Sequence, residues 1–277
     1  MDAGTIKLQK FDPTRIDSNR VVMCIGKRGT GKTTLTADIM YHLRKKFDAG
    51  ICFSSTEESN SFWGNHICDT LIHSDFNEKT FSNFITEQRR INNSSSHKIN
   101  SFALLEDCMY NSKILKSNKD IRGTFFNGRH WNIFLIITMQ YVLDLPPELR
   151  SNVDFVFILR NNMMADRERL YKNFCGFIPT FAIFNKIMNK CTQGYEALVV
   201  DNTSRSNDIT DCLFWYEGAI HDKFKIGKRN MWLYHYKMKK EEDMKDDCPN
   251  EDDDYYSSLV GTNNHTINKY TNVKKIK

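Results

Sequence analysis

Short apolar runs alternate with stretches of helical spacing along most of the chain. The runs are Val21–Ile25, Ala49–Phe53, Phe102–Leu105, Trp131–Thr138 and Val153–Leu159. Runs of this length are too short for buried helices, and they predict strands of a parallel sheet that is covered on both faces. Between the first two runs, Leu35, Ile39 and Leu43 recur every four residues, which predicts a helix. The alternation predicts an α/β fold with a mainly parallel central sheet flanked by helices.

Weaker patterns predict the remaining elements and the limits of the domain. Helices are predicted around Phe81–Ile85, over Asp120–His130 and within residues 162–192, and strands over Tyr195–Asp201 and Leu213–Tyr216. Residues 1–20 are polar and are predicted to form an entry arm, so the α/β domain is expected over residues 21–240. Residues 241–277 begin as an acidic block and continue as an Asn/Thr-rich segment with few apolar residues, which predicts a disordered tail.

A glycine-rich segment follows the first predicted strand. It reads Gly26, Lys27, Arg28, Gly29, Thr30, Gly31, Lys32 and Thr33, followed by Thr34. This is the pattern G-x-x-x-x-G-K-T of a phosphate-binding loop, and it lies between a predicted strand and a predicted helix. The glycines let backbone N–H groups turn toward a phosphate, and the helix start adds partial positive charge. We expect Lys32 to bind the β- and γ-phosphates of a nucleotide and the Thr33 hydroxyl to ligate Mg²⁺.

Two acidic residues and an amide lie at the carboxyl ends of later strands. The run Phe102–Leu105 ends in Glu106 and Asp107. In ATP-hydrolysing P-loop proteins one such carboxylate holds Mg²⁺ through water, and the next polarises the attacking water. The usual order is Asp before Glu, whereas here Glu106 precedes Asp107. Either Glu106 holds the metal and Asp107 polarises the water, or the alignment of this pair with the usual motif shifts by one residue. Gln140 follows the most apolar strand, where an amide can bond both the γ-phosphate and the attacking water and so sense the nucleotide.

Composition and charge narrow the class of protein. Hydrophobic residues make up 40% and charged residues 26% of the 277 residues, as in soluble globular proteins. No apolar run approaches the ~20 residues of a membrane span, and no apolar core of a signal peptide follows Met1–Gly4. Residues 241–277 carry nine acids and five lysines, a charge of −4; because the whole chain carries +5, residues 1–240 carry +9. The positive net charge of residues 1–240 indicates an anionic binding partner.

The eight cysteines include no C-x-x-C pair, and several lie inside apolar runs. This pattern predicts reduced thiols of a cytosolic protein that pack as small apolar side chains. Without paired spacing, the cysteines do not predict a zinc site.

Five motifs in a fixed order resemble those of one protein family. They are Gly26–Thr33, Leu104–Asp107, Asn127–His130, Thr138–Gln140, and Leu145–Arg150 with Asn152. Together they resemble the genome-packaging ATPases of large nucleocytoplasmic DNA viruses, of the poxvirus and mimivirus type, in the FtsK–HerA superfamily. The resemblance spans about residues 20–236. The phosphate loop alone occurs in many families of P-loop proteins. The run Asn127–His130, before the strand that leads to Gln140, is what indicates this particular family.

The resemblance implies a RecA-like P-loop core with an additional strand between the strand of the phosphate loop and the strand of the acidic pair. Members form homo-oligomeric rings, taken as hexamers, that bind ATP and Mg²⁺. They use ATP hydrolysis to drive double-stranded DNA into a preformed capsid, which implies contacts with capsid or portal proteins. The expected location is the viral assembly site in the host cytoplasm, with the virion as a second location.

The resemblance also assigns roles to single residues. The catalytic set would be Lys32, Glu106, Asp107 and Gln140, and the metal set Thr33, Glu106 and Asp107. A ring ATPase also needs a cation from the neighbouring subunit beside the transferred phosphoryl group, and Arg129, Arg150 and Arg122 are the candidates. The alternative for Arg129 is a structural role, in which it packs beside the sheet of its own chain. The segment Lys223–Lys240 is basic and aromatic and fits either a DNA-facing patch or a closing hairpin.

Three other classes stay open on the sequence. A P-loop nucleoside or nucleotide kinase is the main alternative, although no clear arginine-rich lid is present. A GTPase fits less well, because Asn118-Lys119-Asp120 places the acid one position too early for the base-recognition motif N-K-x-D. A non-catalytic scaffold that binds nucleotide needs neither the acidic pair nor Gln140.

Overall fold

The structure is a computed structural model that describes residues 6–55, 57, 61–108, 117–140 and 145–238. Its strands are β1 (Gln9–Lys10), β2 (Val21–Ile25), β3 (Ala49–Ser54), β4 (Ile72–His73), β5 (Ser101–Glu106), β6 (Ile133–Met139), β7 (Phe155–Leu159), β8 (Glu196–Asp201) and β9 (Leu213–Glu217). They form one sheet in the order β1-β9-β8-β7-β2-β6-β5-β3-β4. Only β8 runs against its neighbours, β7 and β9, and the other pairs are parallel.

The centre of the sheet is apolar on both faces. Every residue of β2, β5, β6 and β7 is buried, as expected for strands covered by helices on both sides. Strand β6 pairs with β2 on one side and with β5 on the other. It is therefore the additional strand that the resemblance implies between the phosphate loop and the acidic pair. The predicted α/β fold with a mainly parallel sheet is confirmed.

Helices cover both faces. They are α1 (Lys32–Leu43), α2 (Glu78–Ser94), α3 (Lys119–Trp131), α4 (Pro147–Arg150), α5 (Met164–Phe174), α6 (Phe181–Cys191), α7 (Ile209–Cys212) and α8 (Arg229–Met238). Alternate residues of a strand enter opposite apolar cores: Val22 belongs to the core that includes α1, whereas Met23 belongs to the core that includes residues of α2, α3, α5 and α6. The loop after β2 leads directly into α1. Because β2 is held in the sheet and α1 is held in the apolar core on one face, both ends of this loop are fixed.

Several details differ from the pattern read along the chain. The two-residue strands β1 and β4 lie at the sheet edges and have no run of their own. In the predicted arm, Phe11 is 2% exposed and packs against Phe155 and Phe214, so part of residues 1–20 joins the core. The predicted tail, 241–277, lies outside the described residues. Among the residues described, no helix is both long enough and apolar enough to span a bilayer.

Candidate active site

The phosphate loop can turn between β2 and α1 because three positions suit only glycine. The Gly26 N–H donates to the Met139 carbonyl at 3.0 Å, and a Cβ at Gly26 would lie 2.8 Å from Leu159 Cβ. Gly29 and Gly31 have φ angles of 76° and 92°, in the left-handed region that other residues rarely adopt. The glycines thus fix the path of the loop between the carboxyl ends of β6 and β7.

Lys32 is held inside the loop rather than in solvent. Its side chain is 6% exposed, and Nζ lies 3.4 Å from the Lys27 carbonyl oxygen and 3.3 Å from Asp107 Oδ2. The Thr30 hydroxyl donates to the same Lys27 carbonyl at 2.7 Å, which closes the turn. The ammonium of Lys27 points elsewhere, 3.6 Å from Asp166 Oδ2 on α5. Lys32 is therefore the buried cation of the loop.

Glu106 is a buried carboxylate whose two oxygens are both hydrogen-bonded. It is 1% exposed. Oε1 accepts from the Thr33 hydroxyl at 2.6 Å, and Oε2 accepts from Ser54 Oγ at 2.9 Å and from Trp63 Nε1 at 2.5 Å. Burial raises the pKa of Glu106 above that of a free glutamate, and these three hydrogen bonds oppose the increase. The contact with Thr33 links β5 to the first turn of α1.

Asp107 leaves the strand in a different direction. Its φ angle is 46°, a conformation that Asp adopts more readily than most residues. The Asp107 N–H donates to Thr138 Oγ1 at 3.0 Å, and that hydroxyl lies 3.3 Å from Asp107 Oδ1. Oδ2 faces Lys32, and the side chain is 21% exposed. Asp107 is therefore fixed beside the loop while retaining access to solvent.

The structure brings most of the predicted site residues to one edge of the sheet. The segment 26–34, Glu106 and Asp107 contact one another as described. Gln140 directly follows Met139, whose carbonyl binds the loop, so Gln140 begins at the same edge, with an exposed side chain. Arg28 is also exposed on the loop, and Thr34 is half-buried.

Arg129 lies at the other edge of the sheet. Its Nη2 is 2.5 Å from Asp154 Oδ1, and Asp154 is 3% exposed. The Asp154 N–H donates to the carbonyl of Val21, the first residue of β2, so this ion pair sits at the amino end of the strand that leads to the phosphate loop. In its own chain Arg129 packs beside the sheet, and a role in a neighbouring subunit stays a prediction.

The other two predicted arginines are also held by contacts away from the loop. Arg150 Nη1 donates to the Leu145 carbonyl at 3.1 Å, and Arg122 Nη1 lies 3.0 Å from Glu148 Oε1. Arg160, which is not among the predicted site residues, is exposed and follows β7 directly. Because β7 pairs with β2 in parallel, Arg160 lies at the edge of the phosphate loop.

Three contacts of the acidic pair were missed in the sequence. Ser54 and Thr138 lie at or near the carboxyl ends of β3 and β6, so their strand position was a usable signal. Trp63 lies in a segment whose pattern predicted no defined element, and it is fully buried. The Glu57 carboxylate holds this turn by accepting from the Trp63 and Gly64 N–H groups, each at 2.8 Å.

The basic and aromatic segment 223–240 is not the predicted hairpin. Residues 229–238 form helix α8. Lys225 is 7% exposed, with its ammonium 4.2 Å from the Trp232 ring centroid, and Lys228 Nζ lies 2.6 Å from Asp48 Oδ1. Of the cations proposed for a DNA-facing patch, Lys225 thus contacts an aromatic ring of the same segment, and Lys228 contacts Asp48.

Comparisons with known proteins give one consistent answer about family and fold. No family model matches the chain. Protein 088R of Invertebrate iridescent virus 3 is 34% identical over 244 residues, covering 82% of this chain and 92% of the relative. Protein L437 of Acanthamoeba polyphaga mimivirus is 30% identical over 245 residues, covering 86% of each chain. Both relatives are uncharacterized proteins.

Among solved structures, the genome packaging NTPase B204 of Sulfolobus turreted icosahedral virus 2, in complex with AMPPCP, matches with a TM-score of 0.56 and 14% identity. The match covers 74% of this chain and all of B204. This confirms a P-loop ATPase fold, as the sequence predicted. The chain therefore belongs to the family of large-DNA-virus proteins that includes 088R and L437, and it has the fold of the B204 packaging NTPase.

Proposed function

We propose that the protein is an ATPase that uses ATP hydrolysis to move double-stranded DNA into a viral capsid. The observation that carries the proposal is the contact of two adjacent acids with two adjacent loop residues, Glu106 with Thr33 and Asp107 with Lys32. A protein that only binds nucleotide has no need for an acid pair at this place. Hydrolysis requires both a site for the metal and a group that orients water.

The donor set next to the loop fits Mg²⁺. The Thr33 hydroxyl and a Glu106 carboxylate oxygen lie 2.6 Å apart at the start of α1, and both are the hard oxygen ligands that Mg²⁺ prefers. With ATP bound, Mg²⁺ would offset the negative charge on the β- and γ-phosphates. We assign Thr33 as the direct ligand of Mg²⁺, and we propose that Glu106 binds the ion through a water molecule. Of the two alternatives that the sequence left open, this is the one in which Glu106 holds the metal and Asp107 polarises the water.

We assign Asp107 to the attacking water. It is partly exposed, tethered through Thr138, and paired with Lys32. Phosphates in the loop would attract Lys32 toward them, which would release Asp107 to accept a hydrogen bond from water. We assign Gln140, which is exposed and follows β6, to the same water or to the γ-phosphate.

The cation that stabilises the transferred phosphoryl group is proposed to come from a neighbouring subunit of a homo-oligomeric ring. Such arginines increase hydrolysis by roughly 10³-fold or more. Arg129 and Arg150 remain candidates for this role. Arg160 is a further candidate within the same chain, because it is exposed beside the phosphate loop.

The proposed substrate follows from charge and from relatives. Residues 1–240 carry a net charge of +9, which favours binding of a polyanion. The relatives come from large DNA viruses, and the structural neighbour is a genome packaging NTPase. We therefore place the protein at the site of virus assembly in the host cytoplasm, in contact with capsid or portal proteins. Contacts with phosphates rather than bases would suit DNA of any sequence.

The test measures ATP hydrolysis by the assembled protein without DNA, with single-stranded DNA and with long double-stranded DNA, each at two salt concentrations. We expect stimulation by duplex that weakens as salt rises. Lys32→Ala should lower the rate about a hundredfold or more, whereas Lys172→Ala, at a lysine on the surface of α5, should not.

Equal rates under all DNA conditions in a confirmed oligomer would refute translocation. Transfer of phosphate to an added nucleoside would instead favour the kinase alternative. Binding of ATP with no turnover would favour the scaffold.

A further inference from the structure

Three potential metal ligands meet on the side of α1 that faces the last strand. Asp38 and His42 are one helical turn apart on α1, and His221 follows β9. Asp38 Oδ1 lies 2.5 Å from His221 Nε2 and 3.5 Å from His42 Nε2, and the three ligand atoms lie within 4.8 Å of one another. Within the part of the chain that the structure describes, this is the one such group of His, Cys, Asp or Glu.

The surroundings hold two of these ligands in place. Asp38 is fully buried, and its second oxygen, Oδ2, accepts a hydrogen bond from the Tyr216 hydroxyl on β9. The His221 ring stacks on Tyr41, with centroids 3.6 Å apart and an interplanar angle of 12°. A ligating carboxylate is usually oriented by such an outer hydrogen bond, which leaves the other oxygen for the metal.

We propose that Asp38, His42 and His221 bind a zinc ion. Two imidazole nitrogens and one carboxylate oxygen form a ligand set that suits zinc and is poorly suited to Mg²⁺ or Ca²⁺. The His42 and His221 side chains are 31% and 19% exposed, so an ion can enter and water can complete a fourth position. The spacing of four residues between Asp38 and His42 places both on one helix face, as in other helical metal sites.

The two separations from Asp38 are close to those in a zinc site. Ligands around tetrahedral zinc with bonds of about 2.0–2.2 Å lie about 3.3–3.6 Å apart. The Asp38–His42 separation of 3.5 Å already lies in this range. The Asp38–His221 contact is a direct hydrogen bond of 2.5 Å, so the ion would replace the hydrogen atom between them as His221 moves outward by about 1 Å.

The proposed ion would join α1 to the chain after β9. Helix α1 begins with Lys32 and Thr33. The chain after β9 comes close to this helix at Gly218, where an added Cβ would lie 3.0 Å from Leu35 Cα. A ligand from each side would therefore fix the carboxyl-terminal segment on this helix. The proposal is independent of ATP hydrolysis, because none of its ligands belongs to the phosphate site.

The test starts from the untagged full-length protein, stripped with a chelator and titrated with Zn²⁺ against a competing zinc dye. We expect one zinc site per chain that Mg²⁺ does not displace, and a higher Tm with zinc. His42→Ala and His221→Ala should each abolish this site. Tyr216→Phe removes only the outer hydrogen bond and should weaken zinc binding about 10- to 100-fold. His97→Ala, at an exposed histidine after α2, is the matched control and should bind zinc like the wild type.

X-ray absorption at the zinc edge decides between this cluster and the cysteines. Only nitrogen and oxygen neighbours at about 2.0–2.2 Å are expected, whereas a sulfur neighbour at about 2.3 Å would place the ion on cysteines and overturn the proposal. Failure of the wild-type protein to compete with the dye would also overturn it. Equal zinc affinity in wild type and both histidine variants would do the same, even if a variant were less stable.

Discussion

Replacing Trp63 by Phe tests a fully buried hydrogen bond of the candidate site. The indole of Trp63 is fully buried and donates to Glu106 Oε2 at 2.5 Å. Phe keeps an aromatic ring in the same place but has no N–H group. The variant leaves Oε2 with only the Ser54 hydroxyl, at 2.9 Å, as a partner.

The expected loss in free energy of unfolding for Trp63→Phe depends on the charge of the acceptor, the Glu106 carboxylate. A hydrogen bond to a charged group contributes about 1.5–3 kcal/mol to the free energy of unfolding, and one between neutral groups about 0.5–1.5 kcal/mol. Trp232 provides the matched control, because it is 3% exposed and its Nε1 donates to the neutral Ile226 carbonyl at 2.9 Å. Both substitutions lose the same ring volume. We therefore expect Trp63→Phe to cost about 1 kcal/mol more than Trp232→Phe at pH 8.

The difference should also depend on pH. Burial raises the pKa of Glu106 in the folded protein above its value in the unfolded chain, so stability falls as pH rises from the unfolded pKa to the folded pKa. The loss is recovered over the same range as pH falls. The Trp63 hydrogen bond opposes this shift, and its removal raises the pKa further. The cost of Trp63→Phe should therefore be largest at high pH and shrink as Glu106 becomes protonated.

Urea unfolding of wild type and both variants at pH 8 and pH 5 measures these quantities. Two-state behaviour has to be checked first by comparing fluorescence with circular dichroism. Equal costs for the two tryptophan variants, or a cost of Trp63→Phe that does not change with pH, would refute a charged partner for Trp63.

Three further predictions concern residues outside the phosphate loop. Arg129→Met removes one partner of the buried Asp154 and should lower the free energy of unfolding by about 1–2 kcal/mol, measured by thermal unfolding; an unchanged stability would contradict this ion pair. A rate of ATP hydrolysis lowered about 10³-fold in the assembled variant would in addition support Arg129 as the cation from the neighbouring subunit. Gly50→Ala places a Cβ against the fully buried Phe102 ring and should cost about 1–3 kcal/mol, and an unchanged Tm would contradict this packing. Burial raises the pKa of Cys24 to about 12, so alkylation of the native protein at pH 8, read by mass spectrometry, should leave Cys24 unmodified and label the half-buried Cys212; rapid labelling of Cys24 would be inconsistent with the fold.

Local sequence sufficed wherever one segment determines its own structure. Val21–Ile25 is apolar at every position and is observed as a strand with the predicted bounds. The glycines of the phosphate loop and the helix after it are adjacent in sequence, so their arrangement follows from backbone preferences alone. The positions of Glu106 and Gln140 at the edge of the phosphate loop could be predicted because the carboxyl ends of parallel strands share one edge of the sheet.

Contacts between distant segments could not be predicted in the same way. Trp63 reaches Glu106 across 43 positions, and His221 reaches Asp38 across 183. Neither pair has a spacing that a periodic pattern can indicate. Strand β1 has only two residues and exists because β9 offers an edge for pairing. The helix over 229–238 has few signals of its own, and Trp232 packs there against Cys68 from far along the chain.

The reversed order of the acidic pair is accounted for by two different local requirements. Position 106 ends a strand and must reach α1, and the longer side chain of Glu does so while accepting three hydrogen bonds. Position 107 has φ of 46°, and Asp is among the residues that adopt this region most readily. Its short side chain also stays within reach of Thr138 and Lys32. Exchanging the two residues would place a longer side chain in the left-handed turn and a shorter one too far from Thr33. The order Glu–Asp therefore suits this backbone, and it supports assigning the metal to Glu106 and the water to Asp107.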